Sequence, residues 1–229
     1  MTVNIAVVGL GAFGQKHLDA LALIDDANIQ YVAHSRMGIA EEVAAKYGAK
    51  AAFTDYAELL QQDDLDSVIL ATPTHMHHDQ TIQALRAGKH VMVEIPMADS
   101  LAGVQEIVDV QQETGLIAMA GHTRRFNPSH QYVHNKITAG ELNIQQMDVQ
   151  TYFFRRTNMN ALGQPRSWAD HLLWHHAAHT VDLFQYQTGE KIVQANAIQG
   201  PKHPELGIAM DMSIQLKTES GKICTLSLS

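Results

Sequence analysis

Short apolar runs alternate with longer amphipathic segments through the first half of the chain. Such runs, bounded by polar or glycine-containing segments, are typical of strands buried in a parallel sheet. The predicted strands are residues 3–8, 29–33, 67–70, 90–93 and 116–120. The segments between them show helical spacing, and several end at a glycine, as a helix C-cap does. The predicted helices are residues 12–24, 39–47, 56–62, 79–87 and 101–114.

Strands that alternate with helices predict an α/β fold with a doubly wound parallel sheet. From about Gly121 the pattern changes to a helix at 128–139 and longer strand-like runs at 144–154, 193–198 and 208–216. This pattern predicts a second, α+β domain with a mostly antiparallel sheet. We expect the domains to be residues 1–121 and 122–229. The last residues, 223–229, look like an unfinished strand, so we expect the second domain to be incomplete.

Composition limits the classes of partner expected for this 229-residue chain, in which 45% of the residues are hydrophobic. A net charge of -8 and a pI near 5.9 disfavour nucleic acid and anionic membranes, which require concentrated basic surface, so a small-molecule partner is expected. The single cysteine, Cys224, excludes an internal disulfide and fits a reducing, cytoplasmic location. Neither a secretory signal nor a membrane-spanning segment is recognisable.

The strongest local motif is VVGLGAFG, placed between the first strand and the first helix. In this context Gly9 makes the tight turn, Gly11 admits a pyrophosphate, and Gly14 lets helix and strand pack closely. Ala12 and Phe13 lie in the first helical turn, whose amides face the anion. The motif therefore predicts a dinucleotide site; a glycine-rich turn without a ligand is the alternative.

The residues after the second strand bear on which dinucleotide binds. An acidic side chain there accepts hydrogen bonds from the ribose of NAD, but this chain has YVAHSRM. Ser35 stands at the acidic position and Arg36 follows, a pair suited to a 2'-phosphate. NADP is therefore favoured as cofactor. The alternative is that Arg36 is a solvated surface residue.

Five strings in order, VVGLGAFG, ATPTHMH, VEIP, GHTRRFNP and WHHAAHTVDLF, resemble the glucose-fructose oxidoreductase and inositol dehydrogenase family. Within it, the last two strings and QQMDVQTYFFRR resemble a subgroup of semialdehyde dehydrogenases that act on products of aromatic ring cleavage. The resemblance implies NADP-dependent oxidation of a cyclic hemiacetal dicarboxylate to a pyrone lactone. It also implies an N-terminal NADP-binding domain and a C-terminal domain for substrate binding and oligomerisation.

Carried over by position, the resemblance places Thr72, Pro73 and His77 beside the cofactor and Glu94 near the nicotinamide. Here the chain departs from the family, because the usual Glu-Lys-Pro reads Glu-Ile-Pro. The lysine commonly assigned to acid–base work is absent, so the catalytic proton must be handled elsewhere.

Histidines offer that proton acceptor, since imidazole titrates near neutral pH. On one α-helix, His171, His175 and His179 would share a face. His179 matches the family histidine and is the first choice as base; His175 stands where the family has Asp and is the runner-up or an orienting partner. Asp182 would orient His179 or lie on the helix surface, and His176 is expected to be structural. Packed core histidines and a metal site remain alternatives, although hydride transfer to a nicotinamide needs no metal, so none is predicted.

Arginines would bind a dicarboxylate, because the planar guanidinium fork matches a carboxylate. Arg124 and Arg125 follow the last strand of the parallel sheet at its carboxyl edge, where such sheets bind ligands, and His122 and Asn127 flank them. Surface ion pairs are the alternative for any one arginine. Further candidates in the second domain are Arg155, Arg156 and Arg166.

The features together favour a dehydrogenase that acts on a small anionic hydroxy or hemiacetal compound. Two alternatives stay open: a non-catalytic NADP-binding module, which the missing lysine would fit, and a sugar or inositol dehydrogenase. An uncovered sheet edge in the second domain would be exposed unless a partner chain covers it, so we expect a homo-oligomer, with strain or poor solubility as the alternatives.

Overall fold

The structure is a computed structural model that describes residues 2–152, 159 and 171–229, with only the backbone of His175. Residue contacts divide it into two compact units, Met1–Gly121 (the first unit) and His122–Ser229 (the second unit). Within the described ranges, no helix is both long and apolar enough to cross a lipid bilayer.

The first unit is built on six parallel strands with helices in the connections. The strands are β1 (Val3–Val8), β2 (Ala27–Ala33), β3 (Ala51–Phe53), β4 (Ser67–Leu70), β5 (His90–Val93) and β6 (Ala118–Ala120). Their order is β3-β2-β1-β4-β5-β6, and every neighbouring pair is parallel. The order reverses between β1 and β4, the switch point at which doubly wound sheets bind ligands. The predicted parallel, doubly wound sheet is confirmed.

Five helices cover the two faces of this sheet. They are α1 (Ala12–Leu21), α2 (Met37–Tyr47), α3 (Tyr56–Leu60), α4 (Thr74–Arg86) and α5 (Leu101–Thr114). Side chains of a strand point alternately to opposite faces, so central β1 feeds two cores. Ala6 and Val8 pack in one cluster with Ile82 of α4, and Val7 packs in the other with Leu18 of α1. Burial on both faces explains the unbroken apolar runs in the sequence.

Some boundaries differ from the prediction. Strand β3 was missed because its three residues, Ala51–Phe53, are too few to show a period. Helix α4 begins at Thr74 rather than residue 79, since Pro73 at its N-cap has the extended conformation that precedes a helix (φ -60, ψ 141). The His-Met-His-His run that follows is mostly polar, so the first turn of α4 lacks the apolar spacing from which helices were predicted. Helix α1 ends at Leu21 rather than residue 24.

The second unit combines a four-stranded sheet with helices. It contains a 3-10 turn (Thr123–Phe126), α6 (Pro128–Thr138), β7 (Gln146–Thr151), a π-helical turn (Leu173–Ala177), α7 (Ala178–Thr188), β8 (Ile192–Gln199), β9 (Met212–Thr218) and β10 (Ile223–Leu228). The strand order is β7-β10-β9-β8, with β7 and β10 parallel and the other pairs antiparallel. The predicted α+β arrangement with a mostly antiparallel sheet is confirmed.

One face of this second sheet is buried and the other is open. Met212, Ile214 and Leu216 alternate along β9 and pack against Phe184 of α7. Strand β8 lies at one edge and is exposed along nearly its whole length, with Ile198 68% exposed. Alternation of this kind is typical of a sheet with one packed face.

Candidate dinucleotide and substrate sites

The glycine-rich turn leaves room for a ligand at one glycine and none at the other two. A Cβ on Gly14 would lie 1.9 Å from the carbonyl oxygen of Gly9, and Gly9 itself has a φ of +91 with Ala71 close by. Both glycines are therefore required by packing and turn geometry. A Cβ on Gly11 would meet no heavy atom within 4 Å. Gly11 thus opens onto free space at the start of α1, where the motif predicts the pyrophosphate.

The helix N-termini around this turn retain amide groups for an anion. Helices α1, α2 and α4 have no side-chain cap, whereas α3 and α5 are capped by Asp55 and Ser100. The uncapped helices follow β1, β2 and β4, three adjacent strands of the sheet. The first amides of a helix carry partial positive charge and bind phosphate when no side chain caps them. This edge of the first unit therefore fits a dinucleotide.

The residues predicted to select NADP lie beside this edge. Ser35 and Arg36 are exposed and follow directly after β2, and Arg36 is the N-cap of α2. The backbone amide of Arg36 donates to Nδ1 of His34 at 3.0 Å. Its guanidinium forms no ion pair with any described residue. A cation at an uncapped helix start is suited to a phosphate group.

The residues after β4 are organised by His77, which is buried (2% exposed). Its Nε2 lies 2.7 Å from the carbonyl oxygen of Thr72, and its Nδ1 lies 2.8 Å from that of Pro96. Both ring nitrogens are thus engaged by backbone, and the Thr72 hydroxyl donates to Gln80 at 2.6 Å. The ring joins the loops that follow β4 and β5, and Pro73 is the N-cap residue of α4 between them, so the expectation that His77 lies by the cofactor stays a prediction.

Glu94 follows β5 and has a partner that sequence reasoning missed. Its Oε1 lies 2.6 Å from Nε2 of His17 in α1, and the two side chains are only 16% and 17% exposed. His17 is three residues after Gly14, so the two share a face of α1. Gly14 packs against Gly9 and Ala71, which directly follow β1 and β4, and its spacing to His17 was the signal that could have pointed to His17.

In the second unit, Arg125 is already paired with a carboxylate. Its Nε and Nη2 donate to the two oxygens of Asp182 at 2.9 Å and 2.5 Å. These hydrogen bonds raise the pKa of Arg125, and Nδ1 of His122 lies 3.7 Å from the same carboxylate. Asp182 therefore orients Arg125, a contact that the sequence did not predict.

Arg124 has different surroundings. Its Nη1 donates to the hydroxyl of Thr180 at 2.9 Å, and Thr180 is fully buried. Among the described residues Arg124 has no carboxylate partner, and burial lowers its pKa. A partly dehydrated guanidinium without a counter-ion is the better prepared of the two arginines to receive a carboxylate.

Of the other predicted substrate-binding residues, one caps a helix and three are not described by the structure. Asn127 caps α6, since its side-chain oxygen accepts from the amide of Ser129 at 3.0 Å. Arg155, Arg156 and Arg166 lie outside the described residues.

The prediction that three histidines share one α-helical face is wrong. His171 lies before the helix, and its Nδ1 accepts from the amide of Leu173 at 3.2 Å. His175 lies in the π-helical turn, and only His179 lies in α7. A π-turn holds more residues than an α-turn, so a four-residue spacing does not carry the α-helical register through it. His179 is partly buried, and His176 is buried at 7% exposure.

Comparison with known proteins identifies the protein family of the chain. Residues 3–122 match the model of the oxidoreductase family with an NAD-binding Rossmann fold (GFO_IDH_MocA), and residues 128–229 match the C-terminal domain of bacterial oxidoreductases. The chain belongs to this oxidoreductase family, as its motifs predicted. It is 68% identical over 227 residues, 99% of its length, to 4-carboxy-2-hydroxymuconate-6-semialdehyde dehydrogenase of Sphingobium sp. strain SYK-6. It covers 72% of that enzyme's length.

Two further comparisons are with inositol dehydrogenases. Over 141 residues the chain is 36% identical to scyllo-inositol 2-dehydrogenase (NAD(+)) of Bacillus subtilis, covering 61% of this chain and 41% of the relative. The crystal structure of myo-inositol 2-dehydrogenase from Lactobacillus plantarum superposes with a TM-score of 0.89 at 23% identity, covering 100% of this chain and 70% of that one. At that identity the likeness shows the fold alone.

Proposed function

We propose that the chain is an NADP-dependent dehydrogenase that oxidises 4-carboxy-2-hydroxymuconate-6-semialdehyde, in its cyclic hemiacetal form, to 2-pyrone-4,6-dicarboxylate. This reaction belongs to the degradation of aromatic compounds by 4,5-cleavage of protocatechuate. The observation that carries the proposal is the 68% identity to the Sphingobium dehydrogenase of that name over 99% of this chain. The glycine turn and uncapped helices of the first unit support the dinucleotide part independently.

The reaction breaks one bond at the hemiacetal carbon and one at its hydroxyl oxygen. The hydrogen of the C–H bond leaves as hydride, the O–H bond gives up a proton, and the carbon–oxygen single bond becomes the lactone carbonyl. Bound oxidised dinucleotide supplies the hydride acceptor. His179 takes the hydroxyl proton, with His175 as the second candidate for this role. Arg124 receives one substrate carboxylate, and Thr180 holds its guanidinium in place.

The test is formation of reduced dinucleotide by the purified chain with NADP and the ring-cleavage product of protocatechuate. We expect turnover that falls by about a hundredfold or more in His179→Ala, the usual size of a lost general base. His171→Ala is the matched control, because its ring nitrogen accepts a local backbone amide, and it should retain activity. Absence of turnover in a wild-type chain that binds NADP would leave a non-catalytic nucleotide-binding module. Turnover of inositols instead would favour the sugar dehydrogenase alternative.

Cofactor preference is tested by direct binding. Arg36→Ala should weaken NADP binding about tenfold or more, as expected for a lost charge-assisted hydrogen bond to phosphate, and leave NAD binding unchanged. Ser35→Asp should move preference toward NAD by supplying an acceptor for the ribose hydroxyls. Equal losses for both dinucleotides in Arg36→Ala would contradict the assignment of a 2'-phosphate site.

A further inference from the structure

A histidine–carboxylate pair joins α1 to the residue that follows β5 in the first unit. The side chains of His17 and Glu94 approach to 2.6 Å and are largely buried. Glu94 is the only acidic residue among those that directly follow β1, β4 and β5, namely residues 9–11, 71–73 and 94–96. Isolated carboxylates are seldom buried to this extent without a purpose or a partner.

The order of the strands places the pair at one end of a bound dinucleotide. The pyrophosphate is expected at the start of α1, and the adenosine ribose beside Ser35 and Arg36 after β2. Strand β2 lies on one side of β1, and β4 and β5 lie on the other. The nicotinamide half of the ligand therefore extends toward the side that holds Glu94. This step rests on the dinucleotide part of the proposed function.

The two oxygens of Glu94 have different surroundings. Opposite a carboxylate, Nε2 of His17 is the donor, so Oε1 is engaged by His17. Among the described residues, Oε2 has only a long contact, 3.4 Å, from the amide of Ile95. A Cβ on Gly121 would lie 3.3 Å from Oε2, so the glycine keeps that side of the carboxylate clear. Oε2 thus retains capacity to accept from, or lie against, a ligand.

Nicotinamide carries a positive charge when oxidised and none when reduced. We propose that His17 and Glu94 form a subsite that recognises this charge and binds the oxidised dinucleotide more tightly than the reduced one. Glu94 is the group that contacts the ligand, and His17 is a positioning residue that fixes Oε1 and leaves Oε2 presented. Such a preference favours exchange of reduced product for oxidised cofactor after each turnover.

The experiment compares dissociation constants of NADP and NADPH for the wild-type chain and variants by calorimetric titration, without substrate. We expect the oxidised form to bind about tenfold more tightly, the size of one charge contact in a partly hydrated cleft. Glu94→Gln keeps the shape of the side chain and loses its charge, so it should bring the ratio of the NADPH to the NADP dissociation constant close to one. Glu106→Gln is the matched control, since Glu106 accepts from His78 at 3.0 Å in an exposed pair of the same unit.

Two variants of His17 distinguish a role in positioning Glu94 from a role in the stability of the fold. His17→Gln keeps an N–H donor and should retain the ratio, whereas His17→Leu should lower it while thermal unfolding shows an intact fold. A ratio that Glu94→Gln leaves unchanged, or a wild-type ratio of one, overturns the proposal while the dehydrogenase assignment stands. If the wild-type chain binds none of NADP, NADPH, NAD and NADH, both this proposal and the dehydrogenase assignment are overturned.

Discussion

Two arginines adjacent in sequence are prepared for different tasks. Arg125 gives two hydrogen bonds to Asp182, which is 11% exposed, and so is occupied within the second unit. Arg124 gives one to a neutral hydroxyl and has no carboxylate partner among the described residues. A guanidinium that is held in place and lacks a counter-ion gains most from an incoming anion.

Replacement of the two arginines should therefore have separable effects. Arg124→Met should raise the KM for a dicarboxylate substrate about tenfold or more, by loss of a charge-assisted contact, without weakening NADP binding. Arg125→Met should instead lower stability by about 1–2 kcal/mol, because the Asp182 carboxylate loses its donors. Steady-state kinetics and chemical denaturation distinguish the two. Equal changes in KM for substrate and NADP in Arg124→Met would count against the assignment.

At the residue scale, the sequence was most informative where a backbone conformation can be adopted by only one residue type. The conformation of the glycine turn was predictable, because it depends on neighbours in sequence. The pairs His17–Glu94 and Arg125–Asp182 were not, since their members are 77 and 57 residues apart. Such contacts exist only once strands and helices have been assembled.

At the scale of elements, the helix N-termini differ in how they are capped. The helices whose N-termini surround the glycine turn lack side-chain caps, and α3 and α5 are capped. Sequence periodicity found all five helices, with the bounds of α5 correct. It did not find the π-helical turn, because a locally wider turn leaves no repeat of its own in the sequence.

The turn between β9 and β10 is tied to the start of β8 by a carboxylate. Glu190 accepts hydrogen bonds from Lys222, Thr218 and Ser220, which lower its pKa from 4.5 to about 2. A carboxylate whose pKa is lower when folded stabilises the fold above its unfolded pKa and loses that effect as the pH falls to its folded value. Glu190→Gln should thus reduce the Tm at neutral pH, and the difference from wild type should vanish near pH 2. A difference that persists unchanged across acid pH would contradict this account.

At the scale of the whole molecule, the alternation of strands and helices predicted the first unit well. Parallel strands must be joined by crossovers, and the crossovers are long enough to appear in the sequence as helices. The second unit was harder, since its sheet joins a parallel pair, β7 and β10, to antiparallel neighbours. That pairing is not local in sequence, and no turn residue encodes it.

The open edge of the second sheet bears on assembly. Strand β8 exposes Val193 and Ile198, at 58% and 68%, and in the part of the chain that the structure describes it forms the edge of the sheet. Apolar edges of this kind favour pairing with another chain, so we expect a homo-oligomer in solution. Ile198→Lys should shift the mass measured by light scattering toward the monomer. Leu23→Lys, at a more exposed apolar site of the first unit, is the control, and an unchanged mass in Ile198→Lys would exclude this edge as the interface.

The position of Ser35 and Arg36 has an evolutionary consequence. Both side chains are exposed, and β2 has already ended at Ala33, so neither contributes to the sheet or to a core cluster. Exchange of these residues leaves folding untouched, whereas any side chain at Gly14 would require the backbone to move. On the proposed assignment of Ser35 and Arg36 to the 2'-phosphate, selection could change the dinucleotide by single substitutions while the scaffold stays fixed. Coenzyme preference would then be a labile trait, free to follow the supply of reducing equivalents in each host.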